Sequence, residues 1–500
     1  MPQSHFEPAY KVRTKIVATV GPASREPAML RRLAEAGVDV FRLNFSHASH
    51  AEHSATYEAI QQIRRELGRE IAVLQDLCGP KIRLGLIAGN VVSCELDAEF
   101  TLTSDPENPD DPHELTCTHK TLPDDLEIGQ SVLFADGTVA MQVVDQRPGW
   151  VRMKVTLPGR IRSNQGINVP GAALSVSALT EKDLNDLNWT AEHPVSYVGL
   201  SFVRHAADVT RLRSELDQRG IRARIVAKIE KPQAVANLES IVAEVDAVMV
   251  ARGDLGVEID VTRVPAVQKR IIEVCHQARV PVITATQMLN SMESSSRPTR
   301  AEASDVFNAV LDGTDAVMLS GETAIGRFPT EAVTMMSQIA HEAEALIFSR
   351  PRGNCPATWA IPGWSGTLES VGPVARAGHV RPITEAVVEA ASLVAHRLRA
   401  PLLAVATHSG RTALALSKLR NATHTLAMTD DPEVARAMAL FWGVTPLLIP
   451  ELFDTGQILS FADEWSRQND LIDSGDHIVV VRGLMTSDSS HNAILVHEVE

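Results

Sequence analysis

Eight short apolar runs, each followed by a stretch with helical spacing, constrain this chain more than any other feature. They are KIVATV (15–20), VDVFRL (38–43), IAVLQD (71–76), YVGLSF (197–202), ARIVAKI (223–229), DAVMVA (246–251), VPVITA (280–285) and DAVML (315–319). Near-continuous runs of this kind, rich in β-branched residues, fit strands buried on both faces of a parallel sheet covered by helices. Eight such units predict a TIM (β/α)8 barrel, whose active site lies at the C-terminal ends of the strands. The residues at those ends are Asn44 and Ser46, Asp76, Lys228 and Glu230, Asp254, Thr286 and Gln287, and Ser320 and Glu322.

The alternation breaks between the third and fourth runs. Residues 86–170 lack a good helical pattern and carry β-like segments (VLFADGTVAMQVV, WVRMKVTLPG) with turn signals DGT, RPGW and VPG. They predict an inserted all-β lid domain above the active site, with the barrel formed by 1–85 and 171–348. Residues 349–382 are rich in Pro and Gly and read as a linker or irregular extension. From 383 to 500 a new alternation predicts a C-terminal open-sheet α/β domain.

A hydrophobic fraction of 44% and a charged fraction of 22% suit a globular protein with a sizeable core. The net charge of −15 argues against nucleic acid or an anionic membrane as partner, without forbidding a local basic pocket. Five scattered cysteines without a CxxC pair suggest a reduced, cytoplasmic chain. No signal peptide is expected from MPQSHFEPAYKVR, and no run reaches the length of a membrane span.

Residues 226–256 concentrate the chemistry. Strand side chains alternate, so Lys228 and Glu230 share a face at their strand end, and the next strand end brings Asp254 towards them. Two hard carboxylate ligands suit Mg2+ or Mn2+, and the ammonium beside them suits a phosphorylated anion. Gly253 lets backbone N–H groups approach a ligand. In VFRLNFSH (40–47), Arg42, Asn44 and Ser46 also share a face; the arginine suits phosphate oxygens, and His47 stands where it can contact a nucleotide. QDLCGPKIRLG (75–85) holds Asp76, Lys81 and Arg83, and Arg42 and Arg83 converging on one phosphoryl group would make an electrostatic clamp. Read alone, it is equally a charged loop. Thr286 is either a site residue or a helix N-cap. THSGRTALALSK (407–418) reads equally as an N-capped helix or as a phosphate cradle made by Thr407, His408, Ser409, Gly410, Arg411 and Thr412.

Taken in order, TKIVATVGPAS, RLNFSH, QDLCGPKIR, ALTEKD, KIE, VMVARGDLGVEI, ATQMLNSM, RPTRAEASDV and NAVLDGTDAVMLSGETAIGRFP resemble the pyruvate kinase family, densely over 14–348 and more thinly over 383–500. The resemblance implies phosphoryl transfer from phosphoenolpyruvate to ADP, giving pyruvate and ATP. It assigns the divalent metal to Glu230 and Asp254, and the transferring phosphoryl group to Lys228, Arg42 and Arg83. The substrate carboxylate falls to Thr286 and the Gly253/Asp254 backbone, and enolate protonation through water to Thr286 and Ser320. The nucleotide side falls to Asn44, His47, Arg83 and, in the lid, Asp136. A homotetramer and a phosphorylated allosteric effector at 407–412 are also implied.

The departures matter. Many members hold K+ with an Asn, a Ser, an Asp and a threonine carbonyl, with a Glu nearby. Asn44, Ser46 and Asp76 keep that pattern, but Leu77 takes the Thr position and Lys81 the Glu position. A lysine ammonium there supplies the charge K+ would bring, so the expectation is an enzyme that does not require K+. Two lysines near the nucleotide in some members are Asn188 and Ile325 here. The loop RGLMTSDSSHNAI lacks the Gly/Pro-rich pattern of a sugar-bisphosphate site.

Overall fold

A computed structural model describes residues 12–106, 110–135, 137–171, 177–349, 381–450, 455–486 and 489–500. The eight barrel strands are Lys15–Val20, Val40–Asn44, Ala72–Asp76, Tyr197–Leu200, Arg224–Ile229, Ala247–Ala251, Val282–Ala285 and Ala316–Leu319. Each pairs in parallel with the next, and the first pairs with the eighth, so the sheet closes. Burial on both faces explains why these strands read as continuous apolar runs. Outward side chains such as Phe41, Val73, Ile225 and Val250 pack under the helices, while Val17, Leu74, Val226 and Met249 fill the interior.

The connecting helices begin where their sequences say they should. Ser49 with Glu52, Thr180 with Asp183, and Thr299 with Glu302 form reciprocal capping boxes at helices His50–Leu67, Glu181–Glu192 and Arg300–Leu311. The helix expected straight after the seventh strand starts only at Arg300, capped by Thr299; Thr286 is therefore not an N-cap.

The inserted unit is all-β apart from the short helix Leu122–Asp125. A six-stranded sheet and a two-stranded sheet enclose a core running from Ile82 to Val169, with Phe100, Phe134, Met141 and Met153 at its centre. Strand Val139–Arg147 alternates buried Val139, Met141 and Val143 with outward neighbours, as a half-exposed antiparallel strand must. Asp136 and nearly all of the expected linker lie outside the described residues.

The C-terminal domain has a five-stranded sheet. Four strands, Val444–Leu448, His424–Thr429, Leu402–Ala406 and His477–Thr486, are parallel, and Ser489–Glu498 is an antiparallel edge. The segment read from sequence as a closing loop is thus largely the two arms of a hairpin. Its polar residues gave no apolar run because an edge strand has one open side. The helix expected over 432–442 stops at Met438.

This domain packs against the N-terminal mouth of the barrel. Ala437, Ala439 and Leu440 join the barrel's interior apolar cluster. Tyr197 at the start of the fourth strand donates its hydroxyl to Ala437 O at 2.6 Å, and Lys15 at the start of the first donates to Val444 O at 2.8 Å. Buried Asp315, preceding the eighth strand, meets Lys418 Nζ at 2.6 Å and Arg420 Nη2 at 3.0 Å.

Candidate active site

The C-terminal ends of the second, third and fifth strands bring together one carboxylate and two cations. Asp76 Oδ2 accepts Nε–H of Arg42 at 2.7 Å, and Lys228 Nζ lies 3.5 Å from Asp76 Oδ1. Lys228 also stands 3.6 Å from Glu230 Oε2 and donates to Ser201 Oγ at 2.9 Å. Ser201 donates its own hydroxyl to Leu77 O at 2.7 Å, and Arg42 Nη1 donates to Thr19 Oγ1 at 2.9 Å. Charges removed from water need such partners. Burial opposes the Lys228 charge, but Asp76, Glu230 and Asp254 outweigh it and hold its pKa above the ordinary lysine value. Burial likewise opposes the Asp76 charge, and Lys228 and Arg42 reverse the effect, so its pKa is lowered.

Glu230 is different. Burial pushes its carboxyl up to about 7, against the pull of Lys228. Its Oε1 accepts the Phe202 N–H, presented by a backbone φ of +57° that a bulky residue adopts only under constraint. Asp254, in the first turn of helix Arg252–Glu258, is exposed. A buried carboxylate short of positive charge, facing the same pocket as a second carboxylate, fits a hard divalent cation.

The sixth, seventh and eighth strand ends form the adjoining wall. Thr286 and Gln287 both have left-handed backbones, φ +66° and +53°. Thr286 Oγ1 accepts the Gly253 N–H at 2.7 Å and donates to Ala285 O at 2.7 Å. A Cβ on Gly253 would lie 3.3 Å from that oxygen, so glycine permits the approach. Arg252 donates to Thr286 O at 2.8 Å and to Asp305 at 2.9 Å, clamping the turn. Buried Glu322 ties the last two loops together by accepting Leu289 N–H at 3.0 Å and Ser320 N–H at 2.7 Å. Ser320 Oγ is buried and makes no hydrogen bond among the described residues.

One pocket collects Arg42, Asn44, Ser46, His47, Asp76, Leu77, Lys81, Lys228, Glu230 and Asp254. Its lining carries five Lys or Arg side chains (with Arg204 and Lys231) against three carboxylates, an excess that favours an anionic ligand. Gly253, Thr286 and Ser320 are not part of this lining, though Gly253 and Thr286 adjoin it through Asp254. Arg83 is not part of the lining and donates to Asn164 O at 3.2 Å, so the two arginines do not converge here. Burial lowers the His47 pKa, and Lys81, Arg83 and Arg42 lower it further. Asn44 Oδ1 accepts Ser46 N–H at 3.1 Å. Ser201, Thr19, Phe202 and Arg252 were not singled out from sequence. The first three belong to apolar runs or their immediate ends, and a left-handed Phe leaves no compositional trace.

In the C-terminal domain, Gly410 adopts φ +76° ahead of helix Arg411–Lys418. Thr407 Oγ1 accepts its N–H at 3.1 Å, His408 pairs with Asp430 at 2.9 Å, and Ser409 Oγ accepts from Arg411 Nε at 3.2 Å. Ser409 O also accepts from Arg224 of the barrel's fifth strand at 3.2 Å, and Thr412 lies in the helix's first turn.

Comparison with known proteins agrees with this architecture. The family model described as pyruvate kinase, barrel domain, matches residues 11–333, and that described as pyruvate kinase, alpha/beta domain, matches 385–497. A pyruvate kinase of Agrobacterium vitis is 42% identical, covering 96% of this chain and 97% of its own. One from Mycobacterium intracellulare is 41% identical, covering 97% and 98%. The crystal structure of a pyruvate kinase from Cryptosporidium parvum superposes with a TM-score of 0.86 at 32% identity, covering 97% of this chain and 96% of that one. With two matching domain models in order and full-length relatives at this identity, the chain belongs to the pyruvate kinase family of phosphotransferases.

Proposed function

We propose that this protein transfers the phosphoryl group of phosphoenolpyruvate to ADP, giving pyruvate and ATP as in the last step of glycolysis. The observation that carries the reading is the pocket in which Arg42 and Lys228 flank Asp76 while Glu230 and Asp254 face the same space. Phosphoryl transfer depends on charge neutralisation and alignment more than on covalent chemistry. Lys228, held as an ammonium by its three carboxylate neighbours, stabilises the transferring group and the enolate that it leaves behind. Arg42, pinned by Asp76 and Thr19, presents a fixed guanidinium to phosphoryl oxygens. Glu230 and Asp254 would hold Mg2+ or Mn2+, which when bound neutralises phosphoryl and enolate oxygens. The Gly253/Asp254 backbone and Thr286 orient the substrate carboxylate, and Thr286 and Ser320 help the enolate carbon take its proton through water. Arg83, Asn44, His47 and Asp136 serve the nucleotide side.

Lys81 shares the pocket with Asn44, Ser46, Asp76 and Leu77 and supplies the charge K+ provides in many relatives, so K+ is not required. The 407–412 loop takes a phosphorylated effector, the assembly is a homotetramer, and the enzyme works in the cytoplasm. No helix among the described residues is long and apolar enough to cross a membrane. The test is the initial rate of pyruvate formation from phosphoenolpyruvate, ADP and Mg2+ in Na+ buffer, repeated with K+ and with candidate sugar phosphates and nucleotides. Turnover without K+ is expected. Absence of turnover under every condition would overturn the assignment.

A further inference from the structure

Glu230 and Asp254 sit on different elements, the end of the fifth strand and the first turn of helix Arg252–Glu258. Something must fix the distance between them. The residue after Glu230 is Lys231, and the residue four after Asp254, on the same helix face, is Glu258. Lys231 Nζ donates to Glu258 Oε1 at 2.7 Å, with both side chains buried. The link closes a ring: from Glu230 to Lys231 along the chain, across the ion pair to Glu258, and back one helical turn to Asp254. Phe202 braces it from one side, since its N–H is bonded to Glu230 and its ring lies 5.3 Å from the Lys231 ammonium. Asn168, in the returning strand of the lid, approaches the same Glu258 oxygen at 3.5 Å.

We propose that the Lys231–Glu258 pair is a positioning device for the divalent-cation site, setting the separation of Glu230 and Asp254. A short buried ion pair is rigid where either element alone could shift. Partners behind metal ligands typically change metal affinity by about 10- to 100-fold when removed. The inference rests on the reading of Glu230 and Asp254 as metal carboxylates.

Two accounts of Lys231 predict opposite signs. If it acts only as a nearby positive charge, it repels the cation, and Lys231→Met tightens binding while Glu258→Asp, which keeps the charge, changes nothing. If it positions the carboxylates, both substitutions weaken binding. The experiment is titration of the full-length protein with Mn2+ alone, free Mn2+ being read by electron paramagnetic resonance, on variants whose circular dichroism matches the parent. The expected result is Mn2+ affinity about tenfold or more weaker in Lys231→Met and in Glu258→Asp. Parental or tighter affinity in both overturns the inference, and if Lys231→Met does not fold, Glu258→Asp decides alone. Glu230→Gln separates the two levels: a parent protein that binds Mn2+ no better than this variant defeats the metal-site reading itself.

Discussion

Arg42 and Asp76 meet through the shorter half of an uneven carboxylate: Oδ2 takes the Arg42 Nε–H at 2.7 Å, while Oδ1 has Lys228 at 3.5 Å and no hydrogen bond among the described residues. Asp76 thus holds two cations of different strands with one charge. Asp76→Asn removes that charge and leaves both cations buried without it. The expected cost is about 3–5 kcal/mol, seen as a lower urea midpoint by circular dichroism, together with a raised KM for phosphoenolpyruvate as Arg42 loses its anchor. A variant with parental midpoint and KM would show that Asp76 is dispensable.

Lys81→Glu tests the built-in cation. The substitution restores an acidic residue beside Asn44, Ser46 and Asp76, and its activity should fall in Na+ and recover with added K+. Steady-state rates across a K+ series are sufficient. A variant that is fully active and indifferent to K+ would discard this account of Lys81.

Two glycines with similar backbones should answer differently to alanine. Gly79 has φ +64°, and a Cβ there would sit 2.7 Å from Phe202 Cδ2. Phe202 is the residue whose N–H holds Glu230. Gly68 has φ +58° with open space around it. Gly68→Ala should cost about 1 kcal/mol from the left-handed backbone and leave kcat intact. Gly79→Ala should cost about 1–3 kcal/mol more from overpacking and lower kcat as Phe202 shifts. Equal kinetics in the two variants would sever the proposed link between Phe202 and the site.

His276 lies at the junction of barrel and C-terminal domain. Burial, aided by Arg420, Lys418 and Arg279 and opposed by Asp315, brings its pKa down to about 3. The folded pKa is below the unfolded one, so the stability contribution is complete above about pH 6.5 and is lost as pH falls towards 3. Each unit of acidification within that window costs up to about 1.4 kcal/mol from this residue. Melts between pH 7.5 and 4.5 should show a shallower loss for His276→Gln than for the parent. An identical slope would place the acid sensitivity elsewhere.

The barrel was readable because its strands are buried on both faces, which writes an unbroken apolar run into each. The carboxylates and cations at the strand ends were readable for the same reason: Lys228 and Glu230 are charges that an apolar strand does not otherwise tolerate. Residues that act through backbone geometry were not readable. The left-handed turn at Thr286–Gln287 looks like a helix start, and Arg83 looks equivalent to Arg42 until the fold turns it to Asn164 O, outside the pocket lining. Long-range pairs such as Lys231–Glu258 join residues whose proximity depends on two neighbouring strands, and a single sequence carries no register between them.

The base of the barrel is finished by another domain. Ala437, Ala439 and Leu440 complete its interior, yet they are made after every one of its strands. A ribosome releases the N-terminal part of a chain first. A barrel whose eight strands have all left the ribosome therefore still lacks these three side chains at its base. Truncation before residue 437 would therefore strip apolar cover from the base of the barrel, so that the loss of stability falls on the barrel itself and not only on the part removed.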